Sequence, residues 1–199
     1  MGNISVSNAQ TIAGKTISGN ASIAADNEVS STETIPVGIA GTLSTRTSDT
    51  AGVLTVESGH GYESADEISI ASASAFSYDG VVDSVAATTI TFSSADGDVL
   101  PLVDAAIIAS QPTEIDITFS GTALVALAAS CTQRALFTLE NSSTVDLAQE
   151  VQANGLPYAW NTSMGFTNPV TGDAIVKANV YNGSVTAATF SMVAAYNNA

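Results

Sequence analysis

Between residues 53 and 92 apolar and polar positions alternate, and glycine-bearing turns break the runs. Val53-Leu54-Thr55-Val56 is interrupted by Gly59-His60-Gly61, and Ile68-Ser69-Ile70 then follows the period of two that a half-buried strand requires. Tyr78-Asp79-Gly80 reads as a turn. Val81-Val82-Asp83-Ser84-Val85 and Thr89-Ile90-Thr91-Phe92 add two more β-branched or aromatic runs. Four strands in about forty residues is the spacing of a compact antiparallel module.

The same pattern extends to either side. Upstream, Thr42-Leu43-Ser44-Thr45-Arg46-Thr47 reads as a strand and Ser48-Asp49-Thr50-Ala51-Gly52 as a turn. Downstream, Val99-Leu100-Pro101-Leu102-Val103 and Ala106-Ile107-Ile108 form a strand pair or a short helix, with Pro101 opposing a central strand. Residues 1–34 are polar, with Ile4, Val6, Ile12, Ile17 and Ile23 spaced too thinly to bury much by themselves. They read as an extended arm that docks on a neighbouring surface, with a hairpin turn placed at Ser18-Gly19-Asn20.

Gln111-Pro112-Thr113 is the domain boundary. Beyond it, Ile115-Asp116-Ile117-Thr118-Phe119 alternates cleanly. Residues 122–152 are Ala- and Leu-rich and fit helix or strand, with strand favoured by Ala135-Leu136-Phe137-Thr138-Leu139 and the turn after it. Tyr158-Ala159-Trp160 and residues 174–181 read as strands, and Asn182-Gly183 as a hairpin turn to a return strand over 184–196. The expected fold is all-β: an extended N-terminal arm over 1–34, a small antiparallel β-barrel or module over 35–111, and a jelly-roll-like β-sandwich over 112–199.

Composition changes this picture toward assembly. Only 12% of the 199 residues are charged, about half the ~25% of an ordinary globular chain, and mean hydropathy is +0.28. A surface of hydroxyls and amides is cheaper to desolvate than one of charges, which suits association. The charges present are 19 acidic against four basic, a net −15. Lys15, Arg46, Arg134 and Lys177 stand singly, so no cluster exists to neutralise phosphates, and neither nucleic acid nor an anionic membrane is an expected partner. The first ten residues lack a basic region and an apolar core, so no signal peptide is expected.

Candidate chemistry is sparse. His60 is the only histidine, and its Gly-His-Gly setting is that of a tight turn. Cys131 is the only cysteine, lies in an apolar run and reads as a small core residue. The pairs Asp79 with Asp83 and Asp96 with Asp98 flank glycines and are candidate calcium ligands, but turn formation explains Asp-Gly equally and the oxygen count is low. Tyr158, Trp160 and Tyr181 could form a sugar-stacking face or pack in a core. Five Asn-x-Ser sequons, at Asn3, Asn20, Asn141, Asn161 and Asn182, follow from an Asn- and Ser-rich composition. No catalytic, cofactor-binding or metal residue is expected, and no cofactor.

The run from Gly41-Thr42-Leu43-Ser44 through Asp49-Thr50-Ala51-Gly52, then Ser58-Gly59-His60-Gly61 and Gly97-Asp98-Val99-Leu100-Pro101, resembles the small β modules of structural proteins in tailed bacteriophages. Ala65-Asp66-Glu67 stands where those modules more often carry a Gly-Asp turn. The resemblance implies a non-enzymatic virion component, made in the host cytoplasm. Its expected partners are copies of itself and other virion proteins such as the major capsid protein. A capsid decoration or cement protein is the first expectation, a tail-tube subunit the second, and a carbohydrate-binding adhesin module the third.

Overall fold

A computed structural model describes residues 2–12, 15–73, 76–94, 100–120, 123–142, 145–154, 158–161, 168–170 and 174–198, with 2–12, 15–24, 78–79, 146 and 160–161 given as backbone alone. The chain is all-β, as the alternation predicts. Strands β1 (Gly2–Ile12) and β2 (Lys15–Ala25) form an antiparallel ribbon closing from Ile12 to Lys15. The turn expected at Ser18-Gly19-Asn20 is therefore misplaced: these residues lie within β2, opposite Ala9, Asn8 and Ser7. The observed register sets Ile4 against Ile23 and Val6 against Ala21, and these apolar pairings outweigh a local Ser-Gly-Asn signal. Strand β3 (Asn27–Ile35) follows directly.

The module at residues 39–110 is a closed barrel. Its six strands are β4 (Ile39–Arg46), β5 (Ala51–Val56), β6 (Glu67–Ala71), β7 (Phe76–Ala86), β8 (Thr89–Ser94) and β9 (Ala106–Ser110). They pair antiparallel in the order β4-β5-β8-β7-β6-β9, and closure leaves no strand edge within the barrel. Leu43, Leu54, Ile68, Ile70, Val82, Ile90, Phe92 and Ile107 fill the interior. Of the two runs after residue 98, only the second is a strand; Leu100 instead plugs the barrel core from a loop.

Two local expectations change. Tyr78-Asp79-Gly80 is not a turn: residues 78 and 79 both oppose Ser69, forming a β-bulge inside β7. Strand β6 is not half-buried, because Ile68, Ser69, Ile70 and Ala71 are all buried. Its outward side is covered, with Ala71 and Phe76 packing on Leu136 and Tyr181 from the C-terminal half. Ala65, just before β6, has φ +76°. This left-handed conformation costs a non-glycine residue about 1–2 kcal/mol. Ala65→Gly is expected to raise stability by about 0.5–1 kcal/mol after glycine's own entropy cost, read as a higher denaturation midpoint.

The C-terminal strands are β10 (Thr113–Ile115), β11 (Phe119–Ser120), β12 (Leu124–Cys131), β13 (Ala135–Glu140), β14 (Val145–Val151), β15 (Tyr158–Asn161), β16 (Ala174–Ile175), β17 (Lys177–Asn182) and β18 (Ala188–Tyr196). Residues 122–152 thus hold three strands, and no α-helix occurs among the described residues there. One sheet runs β15-β12-β18-β3 and the other β10-β17-β13-β14, while β11 and β16 continue the β10–β17 pair past a break. Counting the eight longer pairing strands in chain order, β3 first, the sheets read 1-8-3-6 and 2-7-4-5, the strand order of a jelly roll. Phe137, Phe190, Leu127, Leu139, Ile115 and Met192 fill the space between them.

This topology corrects the segmentation. The expected arm of residues 1–34 contains almost all of β3, which pairs with β18 and carries Ile35, 1% exposed, into the sandwich core. The barrel is an insertion into the first connection of the jelly roll, entered through Pro36-Val37-Gly38 and left through Gln111-Pro112. Asn182-Gly183 is likewise not a hairpin turn, since β17 and β18 belong to opposite sheets. Asn182 is 1% exposed. Its Nδ2 donates to the carbonyls of Pro36 (2.7 Å) and Thr186 (2.9 Å), and its Oδ1 accepts from the Ser184 N–H (3.0 Å). Asn182→Ala is expected to cost about 2 kcal/mol, because three polar groups lose a partner at once. A loss under about 0.5 kcal/mol in urea titration would show that these bonds do not hold the crossing.

Candidate functional site at the module seam

The barrel meets the sandwich along a seam built around Arg134, which stands just before β13. Its Nε donates to Glu150 Oε1 (2.7 Å) and its Nη2 to Glu150 Oε2 (2.9 Å), a bidentate pair within the sandwich. Its Nη1 reaches across to the Ser72 carbonyl of the barrel, and its guanidinium carbon lies 4.7 Å from the Phe76 ring centroid. One side chain thus ties two modules by charge, hydrogen bonding and stacking. The Arg134 hydrogen bonds hold the Glu150 carboxyl below its ordinary value against a smaller opposing effect of burial. Gly183 completes the seam: its N–H donates to the Arg134 carbonyl (2.9 Å), and a Cβ there would lie 2.6 Å from Phe76. Only glycine fits that approach.

A small crevice of about 120 Å³ opens along the seam between the linkers, lined among others by Pro36, His60, Tyr62, Ser110 and Gln111. That is well below the ~300–1,000 Å³ of ordinary ligand pockets. His60 sits between Gly59 and Gly61, both in the left-handed region at φ +79° and +78°. Its Nδ1 accepts from the Tyr62 N–H (3.1 Å), so Nε2 carries the proton and donates to the Ala86 carbonyl (2.9 Å). Both ring nitrogens are engaged, and neither is placed to take a proton from the buried Ser110 hydroxyl, which has no partner. Burial, with the Asp66 charge adding to it, pushes the Tyr62 phenol far above its ordinary value. These groups lock a turn; they do not form a nucleophile and base.

The comparisons come to nothing. No family model, curated protein or solved structure matches this chain. The assignment of function therefore rests on the residues.

Among the described side chains the remaining candidates are not brought together. Asp83 Oδ1 accepts from Ser93 Oγ (3.1 Å). The Asp79 side chain and both Asp96 and Asp98 lie outside the described residues, among which no group of metal-binding side chains occurs. Cys131 is buried in the sandwich core, and that burial pushes its thiol up. Tyr158 packs its ring 5.8 Å from Phe137, whereas Tyr181 is buried at the seam. Trp160 is described by backbone alone, so the two tyrosines that the structure locates share no stacking face. Arg46, Arg134 and Lys177 pair with Asp49, Glu150 and Glu140, which leaves no free cation among the described side chains.

Arg134 is the residue that sequence reasoning missed. It stood out only as one of four isolated cations. Its partner Glu150 lies across the β13–β14 pair, beside the Leu136 register position, and Ser72 is 62 residues away. No local spacing signals either contact.

Proposed function

We propose that this protein is a structural component of a tailed-phage virion, a decoration or cement protein that stabilises the head by contacts with neighbouring subunits, including the major capsid protein. The observation that carries the reading is a block of two modules, closed at the seam by Arg134, joined to a two-stranded ribbon almost free of charge. Such a block transmits load between neighbours, and many copies on one shell add weak contacts into firm attachment. Exposed apolar side chains on a chain with so few charges supply contact surface: Leu102, 76% exposed, stands beside exposed Val103. The jelly roll serves both capsid and lectin domains. With Tyr158 and Tyr181 committed to packing, the adhesin reading is the weaker of the two.

A tail-tube subunit is the second reading, favoured by one observation: a surface this acidic would repel DNA passing through a lumen. Negative-stain images separate the two. A cement protein is seen as single particles alone and as regular surface features once mixed with assembled shells. Rings or tubes of the purified protein would replace the cement reading with the tail reading.

A further inference from the structure

The two proline-bearing linkers between barrel and sandwich, Pro36-Val37-Gly38 and Gln111-Pro112, both border the seam crevice. Each is tied down. The Pro36 carbonyl accepts from Asn182 Nδ2 (2.7 Å), the Gly38 N–H donates to the Ser184 carbonyl (2.8 Å), and Gln111 Nε2 donates to Asp66 Oδ2 (2.8 Å). Proline fixes φ on top of these bonds, so the walls are set before anything binds. Gln111 and Pro112 also border a second, shallower groove of about 320 Å³, whose other walls are Ala65, Asp66 and Glu67. Together the two form one cleft with a narrow end and an acidic end.

Each end selects a chemistry. Pro36, Val37, Ile39 and Pro112 are among the walls of the narrow end, and Val37 is 55% exposed. A cavity of ~150 Å³ holds one benzene, so about 120 Å³ takes one aliphatic side chain. Ser110 lines this end too: alternation in β9 turns Ile107 and Ala109 into the barrel core and Ser110 outward. Its hydroxyl is buried without a partner, which native chains rarely leave so. Thr113, at the same end, begins β10, an edge strand that pairs only with β17 among the described residues. Unpaired main-chain groups therefore border the crevice, as an added extended segment requires. At the acidic end Glu67 is exposed, and Asp66 is half-buried. Glu63, also exposed, stands on the same turn, its N–H donating to Asp66 Oδ2 (2.8 Å). No described cation pairs with any of the three.

We infer that this cleft binds an extended segment of another protein, with one aliphatic side chain in the crevice, a backbone group on the Ser110 hydroxyl, and a lysine or arginine against Glu63, Asp66 and Glu67. Gln111 lines the crevice and bonds Asp66, so the two ends lie about one side chain apart. That suits residues i and i+2 of an extended chain, which share a face ~7 Å apart. A second copy is the wrong occupant, because it brings 19 acidic residues against four basic ones. Nothing in this chemistry depends on the virion assignment.

Amide chemical shifts of the isotope-labelled full chain, titrated with the end-blocked peptide Gly-Lys-Ser-Val-Ser-Lys-Gly, test this. Its two lysines meet the acidic end whichever way the peptide runs. Saturable shifts should gather at residues 65–67 and 110–113, with a dissociation constant of about 1 mM or below. Serine in place of the peptide valine should weaken binding about tenfold. Glu63→Gln with Glu67→Gln should weaken it about fivefold. Ser110→Ala removes a hydroxyl that has no partner in the free protein, so the melting temperature should hold or rise while binding falls about fivefold. No saturable shift up to about 10 mM peptide, or shifts centred elsewhere, overturns the site. Indifference to the valine overturns the crevice as anchor, and indifference to the two glutamates overturns the charge pairing. A Ser110→Ala variant that loses stability or binds normally overturns the role of the hydroxyl. Self-association without peptide that disappears in the Glu63/Glu67 variant puts a second copy in the cleft and overturns the foreign partner.

Discussion

Removing residues 2–33 is expected to unfold the sandwich, whereas removing residues 2–24 leaves it folded. The first deletion takes away β3 through Glu33, and with it every register pair to β18 except those of Thr34 and Ile35. Val29, which packs against the sandwich core, goes too. Each lost backbone hydrogen bond is worth about 1 kcal/mol, so losing a strand approaches the 5–15 kcal/mol that holds a typical domain together. The shorter deletion takes away a ribbon that pairs with no third strand among the described residues, and it leaves β3 and its whole register with β18 in place. Thermal melts followed by circular dichroism should show a cooperative transition for the short deletion, near that of the full chain, and none for the long one. Equal melts would mean that β3 is an arm after all.

Arg134→Ala is the second large effect, with an expected loss of about 3 kcal/mol. Truncation removes a bidentate ion pair, a hydrogen bond to the Ser72 carbonyl and a stacked ring, and it leaves the Glu150 carboxylate without its cation. Breaking a buried pair of this kind costs ~3–5 kcal/mol. Arg134 and Glu150 are 20% and 27% exposed, so the lower end applies. The effect carries a pH signature. Glu150 in the folded protein has a lowered pKa, so its pairing stabilises fully above the ordinary glutamate value of about 4.3 and is lost as pH falls through the lower folded value. The stability gap between wild type and Arg134→Ala should narrow on acidification below about pH 4. A gap that holds constant down to about pH 3 would show that the carboxylate is not the partner that matters.

The barrel was legible because its strands announce themselves one at a time. Leu54 with Val56, Ile68 with Ile70 and Ile90 with Phe92 each alternate into a single interior, and that needs no knowledge of distant residues. Strand β3 was not legible. Glu28, Ser30, Thr32 and Glu33 face solvent at a sheet edge, so a structural strand reads as a polar arm. Ser69 misled in the opposite way: its side of β6 is buried beneath residues more than sixty positions away. At Asn182-Gly183 a hairpin signal was satisfied by other needs, an amide that binds three backbone groups and a backbone that passes close to Phe76. His60 as a turn residue and Cys131 as a core residue were readable from their neighbours, because both roles are local. The Arg134 seam was not, because it depends on strand register and on a contact between modules.

The most direct test of the proposed building-block role is co-sedimentation with assembled tailed-phage shells, with unassembled shell subunits as the control. Binding should saturate at a fixed ratio of protein to shell subunit and be absent with the unassembled subunits. Protein that remains in the supernatant at every concentration would contradict the account.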